Sequence, residues 1–65
     1  MRVTLLPQNR TITFPKRMSV ASLLKKLDLL PGTVMVIREA GLLTDDEVIQ
    51  LDDEIEVRSV ISGGL

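Results

Sequence analysis

The chain is predicted to fold as an α+β domain, a mixed sheet of four to five strands with one main helix packed on one face. Three features point there. Apolar and polar residues alternate near both ends, over Met1 to Leu5 and over Glu54 to Ile61. Only the stretch from Val20 to Leu27 carries helical spacing. Strand-like runs stand on both sides of that helix, the pattern of a helix laid on a sheet rather than of a bundle or a sandwich. With 65 residues, the chain has room for one small domain and not two.

In chain order, Val3 and Leu5, with Met1, alternate with Arg2 and Thr4 in a first strand that ends before Pro7. Pro7-Gln8-Asn9-Arg10 reads as a turn, with proline to set φ and asparagine to tolerate a left-handed backbone. Thr11-Ile12-Thr13-Phe14 alternates again and closes a hairpin. Ser19 is the helix start, its hydroxyl suited to accept from first-turn amides. Val20, Leu23, Leu24 and Leu27 then share one face. Lys25 and Lys26 meet the negative end of the helix dipole, and Pro31-Gly32 blocks continuation.

The compact run Val34-Met35-Val36-Ile37 suggests a buried central strand, followed by Ala40-Gly41 as a turn and a brief strand at Leu42-Leu43. Thr44-Asp45-Asp46-Glu47 has the form of a capping box, which predicts one helical turn bringing Val48 and Leu51 inward. Asp52-Asp53 makes a turn into the last strand, Glu54 to Ile61, charged on one face and apolar on the other. The first and last strands are expected to be central neighbours. No repeat, low-complexity tract or linker interrupts the chain.

Hydrophobic residues make up 45% of the chain and charged residues 26%, a balance that suits a folded globule with an aliphatic core. The absence of cysteine excludes disulfides and thiolate metal sites and fits a cytoplasmic setting. Met1-Arg2 leads straight into a strand pattern without a signal-peptide core, and no apolar run approaches the ~20 residues a spanning helix needs. Neither secretion nor membrane insertion is expected, and a monomer is.

Net charge is −1, but unevenly spread: seven bases against one acid from Met1 to Arg38, eight acids against one base from Glu39 onward. Either the surface is polarised, which would steer partners, or folding intermixes the charges. Direct nucleic-acid binding is not expected, because a basic excess and stacking aromatics are both missing.

Histidine, cysteine, tyrosine and tryptophan are absent, so self-contained hydrolytic or redox catalysis is not expected. Ser19, Ser22, Ser59 and Ser62 lack a nucleophile-elbow context. The acids of Asp45-Asp46-Glu47 and Asp52-Asp53-Glu54 are contiguous rather than alternating and read as caps and turns, not as a metal site. Gly32 and Gly41 are isolated turn glycines, so no phosphate-cradling loop is present and no cofactor is called for.

The most informative residues are Gly63 and Gly64, which follow the last strand. Two glycines make a thin tail, expected to be flexible over residues 62–65, that can thread a narrow channel. A frayed terminus is the alternative reading of the dipeptide. With the acidic turn Asp52-Asp53, the strand Glu54 to Ile61 and Ser62-Gly63-Gly64 in this order, the whole chain resembles the ThiS/MoaD family of ubiquitin-like sulfur carriers. The ending Ser59-Val60-Ile61-Ser62-Gly63-Gly64 is similar to the tRNA-thiolation branch, and the short length looks more like ThiS than MoaD.

The resemblance implies a ubiquitin-like β-grasp fold. It implies that a ubiquitin-activating-type, ThiF/MoeB-like adenylyltransferase activates the Gly64 carboxylate, that Gly64 then carries a thiocarboxylate, and that Gly63 threads the partner's channel. A thiazole synthase or a tRNA thiolase would receive the sulfur, and the apolar surface near the last strand would dock the activating enzyme. Leu65 departs from the family pattern, since carriers end at the second glycine. Either a peptidase trims it, or it remains from a fusion tag. Two other functions stay open: a protein modifier conjugated to lysines through Gly64, and a passive β-grasp binding module whose tail is never activated.

Overall fold

The computed structural model describes residues 1–60. Strand β1 (Arg2–Leu6) turns through Pro7 to Asn9 into β2 (Arg10–Thr13), and Asn9 takes the left-handed φ of 60° that such a turn favours. The short β3 (Met18–Ser19) runs into helix α1 (Val20–Lys26), and a 3-10 turn, Pro31–Thr33, leads to β4 (Val34–Arg38). Then come β5 (Gly41–Leu42), β6 (Val48–Ile49) and the long final strand β7 (Glu54–Ser59). The main sheet is ordered β2, β1, β7, β4, β5, with β1 and β7 parallel and the other pairs antiparallel. The first and last strands are therefore central neighbours, as the hairpin before the helix and the long last strand led us to expect.

One face of this sheet meets α1. Val3, Val36, Ile55 and Val57 point to it and are buried with Val20, Leu23 and Leu24 of the helix. The helix forms here because Ser19 caps it, its Oγ accepting from the Ser22 N–H at 3.1 Å, and because its apolar residues fall on one stripe. Helix α1 stops before the Pro31-Gly32 stop. Asp28 adopts φ 60°, the Leu29 N–H donates to the Leu24 carbonyl and the Asp28 N–H to that of Lys25. This is a Schellman closure with aspartate where glycine is usual, and Leu29 tucks against the core beside it.

Three expectations need correction. The segment after Thr44 forms no helical turn. The Thr44 N–H does donate to the Glu47 carboxylate at 2.7 Å, as in a capping box, but the bond closes a non-helical turn. The carbonyls of Asp45 and Glu47 instead accept from the Ala21 and Val20 amides, capping α1 from outside. Consequently β6 pairs with β3, and Ile49 is fully buried while Val48 and Leu51 are 45% and 58% exposed.

The second correction is the turn after β4. It is centred on Glu39 and Ala40, with φ 51° and 68°, and Gly41 already belongs to β5, paired with Arg38. Third, β4 is buried on one face only, since Val36 is 4% exposed and Met35 37%.

Candidate functional site

Strand β7 sits between β1 and β4, so the last described strand finishes in the middle of the sheet rather than at an edge. Val60, just beyond it, is held by backbone bonding. The Val60 N–H donates to the Thr33 carbonyl at 3.1 Å, and Thr33 is itself held by its N–H and Oγ1, both donating to the Leu30 carbonyl. The tail residues Gly63 and Gly64, expected to carry the acyl group and to thread a partner, lie outside the described residues.

The second feature is the sheet face turned away from α1. Strand alternation sets Met35 and Ile37 of β4 on this face, opposite Arg58 and Glu56 of β7, and pairs Ile37 with Leu42 of β5. These residues line a shallow groove of about 730 Å³, with Glu39, Glu54 and Glu56 around it. Leu42 is 66% exposed and, paired with Ile37 and near the 37% exposed Met35, belongs to one contiguous apolar patch rather than standing alone. Arg58 is tied to Glu56 through Nε and Nη2, both 3.2 Å from Oε1, which leaves the rim acidic. The sequence did not single out Met35, Ile37 and Leu42 as a surface. The signal was present, however: a strand apolar on both faces in a chain with one helix leaves one face uncovered.

The acidic segments serve the fold. The Thr44 hydroxyl donates to Asp46 at 2.6 Å and holds that carboxyl below the usual range. Asp53 Oδ2 accepts from the Gln50 N–H and from Arg38 Nη1, both at 2.9 Å; the backbone donor leads in holding its carboxyl low, burial opposes, and Arg38 adds to the lowering. Among the described residues no three carboxylates converge on a point where a metal ion would sit. No helix of the described residues is long and apolar enough to cross a membrane.

The charge halves are partly intermixed. Arg38 pairs with Asp53, and Arg2 stands level with Glu54 across β1 and β7.

A mixed five-stranded sheet with parallel first and last strands at its centre, crossed by a single helix, defines a ubiquitin-like β-grasp protein. No family model matches the chain. It is 37% identical over 65 residues to the sulfur carrier protein TtuB of Thermus thermophilus, a match covering 98% of this chain and 100% of that relative. The chain belongs to the ThiS/MoaD family of ubiquitin-like sulfur carriers.

Proposed function

We propose that this protein carries sulfur as a thiocarboxylate on Gly64. The observation that supports the reading most is the full-length likeness to a sulfur carrier, together with a diglycine just after a central last strand. A free carboxylate is a poor electrophile. Once hydrolysis of the Gly64–Leu65 peptide bond has freed the Gly64 carboxylate, an adenylyltransferase of the ThiF/MoeB kind would let one of its oxygens attack the α-phosphorus of ATP, expelling pyrophosphate and leaving an acyl-adenylate. A sulfur nucleophile then adds to the carbonyl and AMP departs with the C–O bond electrons. Glycine at position 64 has no side chain to crowd the carbonyl, and Gly63 keeps the approach thin.

This chain supplies the acyl group and its presentation; the adenylation machinery belongs to the partner. The Met35, Ile37 and Leu42 face is the docking surface, because it is the apolar patch near β7 and its acidic rim would favour a partner with basic residues around an apolar contact. The acceptor is a tRNA thiolase or a thiazole synthase in the cytoplasm, and the ending that resembles the tRNA-thiolation branch favours the former.

The test is ATP–pyrophosphate exchange by the activating enzyme, with this chain ending at Gly64. Exchange should depend on the carrier and vanish in Gly64→Val. Equal exchange with the valine variant would contradict the assignment. Deletion of the gene should remove thiolated tRNA, whereas a thiamine requirement with normal tRNA would redirect the sulfur to thiazole synthesis.

A further inference from the structure

Strand β2 is one margin of the main sheet, with β1 on one side and, among the described residues, no strand on the other. The ladder decides which of its backbone groups point outward. Phe14 and Met1 exchange both hydrogen bonds, the Phe14 N–H donating to the Met1 carbonyl at 2.9 Å and the Met1 ammonium to the Phe14 carbonyl at 3.0 Å. Such exchanges recur at every second residue of an antiparallel pair, so Ile12 and Arg10 turn their backbone groups towards Val3 and Leu5. Thr11 and Thr13 therefore turn theirs away from the sheet. Arg2, level with Thr13, agrees with this, because its N–H donates in the other direction, to the Asp53 carbonyl at 3.0 Å. Both threonines are exposed, and the half-buried Ile12 between them stands level with the fully buried Val3. The charge along this edge has one sign. Arg10 lies in the strand and Lys16 and Arg17 follow it, all three exposed and none of them in an ion pair among the described residues. No acid precedes Asp28 in the chain.

We propose that the β2 edge takes up an extended, acidic segment of a partner protein as a further antiparallel strand of the sheet. Thr11 and Thr13 each offer it an N–H donor and a carbonyl acceptor. An aliphatic side chain opposite Ile12 continues the apolar face, and acids opposite Arg10 and near Lys16 and Arg17 meet the unpaired bases. A second copy of this chain is the poorer occupant, because edge-to-edge pairing sets two basic strands side by side, and the charge that repels a copy selects an acid-bearing strand. Nucleic acid is poorer too: Phe14, the sole aromatic residue, is half-buried and packed on the core, so no ring is free to stack on a base. The edge lies three strand spacings, about 14 Å, from β4. The carrier can therefore hold this segment while its Met35, Ile37 and Leu42 face is occupied.

The probe is the capped peptide Asp-Val-Thr-Ile-Thr-Glu-Asp, whose isoleucine falls level with Ile12 and whose glutamate falls level with Arg10 in the antiparallel register. It is titrated into the full chain and followed through the backbone amide resonances. No activating enzyme takes part, so failure here leaves the carrier assignment standing. The Thr11 and Thr13 amide protons should move downfield and exchange more slowly with solvent. N-methylation of both peptide threonines removes their donors and keeps the charge, and should weaken binding about tenfold. Arg10→Glu should weaken it about fivefold with Tm unchanged. Equal binding of the methylated peptide, no binding at millimolar peptide, β2 shifts that change on dilution of the free chain, or an RNA oligonucleotide that moves Thr11 and Thr13 more than the peptide does would each overturn the proposal.

Discussion

Replacing Leu42 by alanine separates docking from folding. Leu42 is 66% exposed, so about two-thirds of the roughly 1.5–3 kcal/mol released by fully burying a leucine is still to be gained when a partner covers it. Leu42→Ala should therefore cost about 1–2 kcal/mol of binding, a weakening of Kd by about 5- to 30-fold. The same exposure means the fold loses little, within about 0.5 kcal/mol. Calorimetric titration of each form against the activating enzyme, beside a thermal melt, reads both numbers. Leu30→Ala is the control: Leu30 is 71% exposed but precedes the 3-10 turn, away from the groove, and its loss should leave Kd unchanged. An unaltered Kd for Leu42→Ala with an unaltered Tm would refute the docking face.

Two further outcomes follow from the backbone and the charges. Ala40 holds φ 68° in a two-residue hairpin loop, a conformation costing an L-residue about 1–2 kcal/mol, so Ala40→Gly should stabilise by about 0.5–1 kcal/mol after the entropy of glycine is set against it. A fall in the denaturant midpoint would contradict this. Asp53 has its folded-state carboxyl below the ordinary 3.8, so its contribution is complete above that value and is lost as pH drops through the folded-state value. Asp53→Asn should flatten the acid side of the stability profile, and a wild-type-like acid slope in that variant would show that other carboxylates govern it.

Much of the fold was legible because local and global signals agreed. Ser19 offered a cap, Val20, Leu23 and Leu24 a stripe, and β7 a strict alternation, and each found the partner its pattern implied. Thr44 to Glu47 misled because a capping-box hydrogen bond is local and forms equally well in a turn. What decided the segment was the need of the Val20 and Ala21 amides for carbonyl partners, which is tertiary information. Gly41 misled in the same way, since glycine marks a turn but Glu39 and Ala40 took the positive φ when Arg38 paired with Gly41.

The candidate site divides along the same line. Gly63-Gly64 is a motif, visible in one dimension and assigned a role by family likeness. The Met35, Ile37 and Leu42 face exists only once β4, β5 and β7 are side by side with the helix on the other face.

The intact mass of the Gly64-ended chain, after incubation with activating enzyme, ATP and sulfide, addresses the chemistry itself. A gain of about 16 Da is expected, oxygen replaced by sulfur at the terminal carboxyl. The form that keeps Leu65 should show no gain. A Gly64-ended chain whose mass never changes, or a Leu65-bearing chain that gains the same increment, would contradict it.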